Sequence, residues 1–213
     1  MNSRRRVNSD VGRYRSYEEV MMLRVPKTLF VLIMFLASAA GQSAPTSFLE
    51  KRVTFTIPSH WQIQSQEDSK TLGRTQILIP YAITDNAPHS ANAAIIANIV
   101  PEGVTVKDIG DRIAKQQYPG MAIVNDIPDG KNWRTIVWTA RTEGLPYLML
   151  DRFGLVNHVA VEFVVGFPLF ENGDVKWVEK VVSDFNATCE SLKIDGTNST
   201  ETKVHLGKLP SKN

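Results

Sequence analysis

Cysteine is almost absent from this chain: its 213 residues contain one, Cys189. A single cysteine forms no internal disulfide, so burial alone must stabilise the fold. Histidine is scarce as well. His60, His89, His158 and His205 form no HExxH, no HxH and no Cys/His cluster with metal-ligand spacing. No G-x-S-x-G, P-loop or G-x-G-x-x-G is present. These absences leave no legible catalytic set, no metal site and no cofactor site.

Charge of one sign is also lacking. The formal net charge is +2. Of 24 Lys and Arg, 7 fall in residues 1–40, with 3 of the 22 Asp and Glu. The body therefore holds 17 basic against 19 acidic residues and offers no electrostatic footprint for nucleic acid.

The N-terminal region reads as an address. Arg24 and Lys27 precede an apolar run from Leu29 to Leu36, followed by Ala37-Ser38-Ala39-Ala40. A basic start, an apolar core and a small-residue cleavage segment make a secretory signal. The apolar run is short of the roughly 20 residues a membrane span needs. The organisation expected is an upstream extension over 1–20, a signal peptide over 21–40 and a linker over 41–49. A folded domain over 50–195 and a polar C-terminal tail over 196–213 follow. Cleavage implies a periplasmic or secreted protein with no membrane span left. Without cleavage the chain stays at the inner membrane.

The body is 43% hydrophobic over the whole chain, enough for one ordinary core. Residues 53–57 alternate with period two, and Pro58 ends that strand. A short strand at Trp61 and Ile63, a polar turn over 65–73 and a strand over 74–81 are expected next. "AAIIANIV" over 93–100 is apolar on both faces, as a central strand with layers above and below requires. Then the period changes. Thr105 with Asp108 makes an approximate capping box, and Val106, Ile109 and Ile113 recur at helical spacing. Strands over 121–127, 133–141, 147–153 and 158–167 form an antiparallel meander. Val175, Val178, Val182, Phe185 and Cys189 make the apolar stripe of a second helix, which places Cys189 as a buried, inert thiol. A last short strand is expected over 191–194. The class is α+β, a mostly antiparallel sheet with a meander and two main helices covering opposite faces, an α/β/α sandwich.

This order of elements resembles the PsbP-like superfamily, of which PsbP and DcrB-type exported proteins are members. The matching stretches are "FTIPSHW", "AIIANIV" feeding "GVTVKDIGDRI", the meander "WRTIVWTARTEGLPYLMLDRFGLVNHVAVEFVV" and the closing "CESLKI". They span residues 50–195. The resemblance implies a sandwich fold of that type and a non-enzymatic binding or assembly role. It carries no catalytic set across to this chain.

One polar group stands out. If 147–153 pairs with 158–167, then Tyr147 and Asp151 share a sheet face with His158 and Glu162. Such a face could take a small ligand or a cation, or it could be an ordinary half-solvated face with cross-strand pairs. Along one strand His158 and Glu162 are about 13 Å apart, so Asp151 would have to lie between them. Trp133 and Trp177 are candidates for a partner surface, with core packing as the competing reading. His60 is expected exposed, without a partner. The function expected is an exported binding or assembly module with a protein partner or small ligand in the cell envelope. The alternative is an envelope hydrolase using the polar face of the 147–166 hairpin or Cys189, or a small-ligand or cation-binding protein using that same face.

Overall fold

A computed structural model describes residues 45–80, 90–115, 120–142, 145–169, 175–198 and 203–205. The expected signal segment and His89 lie outside these residues.

Seven strands form one antiparallel sheet. They are β3 (Gln62–Asp68), β4 (Leu72–Pro80), β5 (Ser90–Ile99), β6 (Ala122–Asp129), β7 (Trp133–Thr142), β8 (Leu145–Val156) and β9 (Val159–Pro168). Their order is β3-β4-β5-β9-β8-β7-β6. The strand apolar on both faces, β5, lies inside the sheet between β4 and β9. The meander β6 to β9 runs as hairpins.

A second, small sheet has the order β1-β2-β10-β11. It holds β1 (Pro45–Phe48), β2 (Val53–Thr56), β10 (Lys193–Ile194) and β11 (Thr197–Asn198). Two boundaries shift here. Residues 45–48, read as linker, are a strand whose Phe48 and following Leu49 are buried. The polar tail contributes β11, and its Val204 is 2% exposed. The Phe48 ring occupies the place where Gly73 of β4 has no Cβ, so any larger residue there would displace it. That close approach seats the small sheet on the large one.

Pro58 separates β2 from β3 as expected. The turn closes through Trp61 N–H donating to Pro58 O at 2.9 Å, and Trp61 is buried against Phe163. The stretch 65–73 is a correction. It is strand up to Asp68 and again from Leu72, with Ser69 bracing a tighter turn. β3 is exposed along its whole length, so no apolar period marks it.

Two helices flank the large sheet. α1 (Val106–Lys115) packs on β7 and β8, where Val106 and Ile109 meet Ile136, Trp138, Ala140 and Phe153. Its capping box closes as the spacing predicts. Thr105 N–H and Oγ1–H both donate to Asp108, and Asp108 N–H donates to Thr105 Oγ1. α2 (Val175–Ser191) lies over the other face, with Val178, Val181, Val182, Phe185 and Cys189 in the main core. Phe185 stacks on Phe163 at 4.9 Å. The chain is thus an α+β sandwich with one helix on each face of a mostly antiparallel sheet.

The two faces differ in cover. Ile77, Ile95, Leu150, Phe163 and Val165 fill the α2 face. On the other face α1 is 10 residues long and covers β7 and β8. There Arg74, Gln76, Ala94, Ile96, Asn98, Glu162 and Val164 are all half-buried.

Candidate functional site

The hairpin register decides which polar residues meet. Tyr147 stands opposite Pro168, Met149 opposite Gly166, Asp151 opposite Val164 and Phe153 opposite Glu162. Odd positions of β8 and even positions of β9 therefore share the α1 face, as the alternation predicts. Asp151 and Glu162 are diagonal neighbours across one strand pair. Such neighbours have Cβ atoms up to about 7–8 Å apart, within reach of polar side chains.

Asp151 is 1% exposed, and neither carboxyl oxygen makes a well-formed hydrogen bond, the Trp138 indole being its nearby donor. Burial pushes its pKa well above the usual carboxylate range, the charge of Glu162 pushes further, and the Trp138 indole pulls the other way. Glu162 is half-buried, and burial raises its carboxyl to about 7.

The same diagonal continues on both sides. Trp138 of β7 is opposite Met149, one register step beyond Asp151. Asn98 of β5 is opposite Ala160, one step beyond Glu162, and its buried Oδ1 makes no hydrogen bond. Trp138, Asp151, Glu162 and Asn98 thus form an oblique strip across four strands. Ala94, Ile96 and Val164 border it on the same face.

The other two candidates stand apart. Tyr147 is half-buried, four residues from Asp151 along β8, about 13 Å away. His158 is not on the strand face. With Asn157 it occupies the two-residue turn between β8 and β9, at φ 64° and 47° respectively, the left-handed pair of a type I′ hairpin. There it lines an open depression of about 290 Å³ with Thr105, Lys131, Asn132 and Asn157. So the structure joins Asp151 to Glu162 and separates Tyr147 and His158 from them.

Trp133 is a correction to the partner-surface reading. It is 2% exposed, with the Arg152 guanidinium 5.5 Å from its ring centroid, and so belongs to the core. Trp177 is half-buried and meets Phe167 edge-on at 5.6 Å. His60 is exposed but has a partner after all, Asp184 of α2 at 2.7 Å. Cys189 is buried, and desolvation pushes its thiol up to about 12, against the pull of Arg152, so its thiol is no ready nucleophile.

Three features escaped the sequence reading. Asn98 was visible as one amide inside an apolar strand, but its diagonal relation to Glu162 depends on a pairing 64 residues distant in the chain. Arg152, 1% exposed, donates to Thr135 Oγ1 at 2.6 Å and pairs with Asp129 on the α2 face. Arg134 pins α1 to the sheet. It makes a two-pronged pair with Asp126 and also bonds Asp111 and Lys107 O. The guanidinium comes within 2.6 Å of where a Cβ on Gly110 would fall, so a larger residue there would have to push the Arg134 side chain aside. The Lys107 ammonium, and after it Arg134, hold the Asp111 carboxyl down at about 2, and Arg134 lowers that of Asp126.

Among the described residues no group of three or more His, Cys, Asp or Glu is placed to hold a metal ion. Among the described residues no helix is long and apolar enough to cross a membrane.

No family model and no curated protein matches the chain. Solved structures are similar in overall path. The Ran-binding protein Mog1p of Saccharomyces cerevisiae aligns over 72% of this chain and 96% of its own, at 7% identity and TM-score 0.49. LpqN of Mycobacterium tuberculosis, involved in cell envelope biogenesis, aligns over 73% and 86%, at 9% identity and TM-score 0.46. Protein PA94 of Pseudomonas aeruginosa aligns over 70% and 96%, at 16% identity and TM-score 0.41.

Proposed function

We propose that this chain is an exported binding module of PsbP-like type that works in the cell envelope without catalysing a reaction. Its ligand contacts lie on the thinly covered sheet face, at Asp151 and Glu162. The observation that carries this reading is Asp151. A carboxyl buried to 1% beside a second carboxyl, with only the Trp138 indole as a donor near it and no well-formed hydrogen bond, is costly to a free-standing fold. A site that a ligand completes accounts for that cost. Export rests on the ordered basic, apolar and small-residue segments of residues 21–40.

The test is a thermal shift with the low-molecular-weight fraction of an envelope extract. Wild-type chain is compared with the Asp151→Asn and Glu162→Gln variants. A rise in Tm for wild type that both variants lose supports the module. No rise, or an equal rise in all three, refutes it. For export, the mature protein should begin after the 37–40 segment. An N-terminus still carrying residues before Ala37 contradicts cleavage.

A further inference from the structure

We infer that the outer groove of α2 is a docking site for an extended partner peptide of basic–aliphatic–basic sequence, and that the chain's own Lys203-Val204-His205 sits in it as an internal competitor. The groove is separate from the Asp151–Glu162 face and does not depend on it.

Asn186 carries the recognition. Its Nδ2–H donates to Val204 O and its Oδ1 accepts from Val204 N–H, both at 3.0 Å. A residue directs its N–H and C=O to one side only when its backbone is extended, as in the hydrogen-bonded pairs of an antiparallel ladder. One side-chain amide therefore holds Val204 as a neighbouring strand would. Main-chain bonds of this kind give affinity in strand-type peptide recognition, and alternate side chains give specificity. Val204 points inward, 2% exposed, and joins the main core. Lys203 and His205 are exposed, as alternation in an extended segment requires. Lys203 pairs with Glu190 at 2.9 Å.

The groove offers more than this segment uses. An open depression of about 400 Å³ lies beside Val204 and His205. Its α2 wall includes Glu179, Ser183, Asn186 and Glu190, which follow one another at steps of three or four along the helix. That wall carries two carboxylates and no basic residue. Among the described residues Glu179 has no ion-pair partner, and Glu190 has only Lys203. The charge pattern selects positive residues on either side of the aliphatic one. The internal segment is held by one clamped residue and one exposed ion pair. A short tether gives it an effective concentration of about millimolar, so a partner that also engages Glu179 displaces it.

The experiment is NMR titration of the full chain with a probe peptide, Gly-Ser-Lys-Val-His-Ser-Gly, up to millimolar concentration. In wild type the Val204 N–H should be protected from solvent exchange, and Asn186→Ala should remove that protection. Val204→Asp evicts the internal segment. The probe should then shift the amides of 179–190 and saturate, at least tenfold more tightly than on wild type. Adding Asn186→Ala to that variant should abolish saturation. A probe with Glu in place of Lys should bind at least threefold more weakly. Lys203→Glu, which sets like charge against Glu190, is a second evicting variant that leaves Val204 in place. Circular dichroism establishes that each variant is folded. On wild type, excess probe should speed exchange at Val204 as the internal segment leaves. A tail with a structural role alone would show the same protection and admit no probe. Unchanged Val204 protection at millimolar probe therefore overturns the proposal. So does the absence of shifts on α2 in the evicting variants, or binding that is equal with Asn186 replaced.

Discussion

Asp151 and Arg152 are adjacent in the chain, and each is 1% exposed. They point to opposite faces of one strand, and their fates differ. Arg152 faces the α2 core and finds Thr135 and Asp129 there. Asp151 faces α1 and finds a second carboxyl, Glu162, with only the Trp138 indole as a donor near it and no well-formed hydrogen bond. The thick face resolves its buried charge within the chain. The thin face does not, and that is why function is sought there.

The strongest way to break the comparison is to damage the thick face. Phe163 is fully buried, stacked on Phe185 and tilted against Trp61 at 6.3 Å. Phe163→Ala should cost about 3–5 kcal/mol by urea denaturation, the usual range for a buried aromatic truncated to alanine. A loss under about 1 kcal/mol would mean that this face is not the main source of stability. On the thin face the neighbouring substitution Val164→Ala removes a half-buried side chain and should cost far less.

The faces themselves were legible in the sequence. Period two groups Ile136 with Trp138 in 133–141, and Val161, Phe163 and Val165 in 158–167; the structure buries the first group under α1 and the second under α2. The reason is physical: each of these strands has two dissimilar sides, and period two is then visible. β3 has similar, solvated sides and leaves no such trace. β1 was missed because its partner β2 belongs to a small sheet completed by β10, about 140 residues on. The Asp151–Glu162 pair was readable because hairpin register is local. His158 was misplaced because two left-handed residues shorten the turn and remove it from the strand. Asn98 stayed hidden because its neighbour arrives from β9, far along the chain.

Next in size is the electrostatic penalty of the thin face. The folded-state pKa of Glu162 is raised, to about 7 from an ordinary 4.5. Below pH 4.5 the group is protonated in both states and costs nothing. As pH rises from about 4.5 to about 7 the unfolded chain releases the proton first, so stability falls. The wild type should lose about 3 kcal/mol across that window. Asp151 acts in the same direction. Asp111, held down at about 2, is ionised throughout it and does not contribute. Glu162→Gln should flatten the curve and be the more stable protein at pH 8. A wild-type curve that rises over this window would remove the carboxyl pair from the account.

The smallest effect isolates the cover of the thin face. α1 has 10 residues and begins at a reciprocal capping box between Thr105 and Asp108. Thr105→Ala removes the oxygen that accepts from Asp108 N–H, and loss of such a cap costs about 1 kcal/mol. A helix this short depends on its cap and on packing against β7 and β8. Its amides over 106–115 should therefore exchange faster with solvent, and the emission of Trp138 beneath it should shift to the red. Exchange in α2 and β9 should change only as much as global stability does. Equal acceleration in both helices would mean that the two faces open together, and that the thin face is not a separately adjustable cover for Asp151.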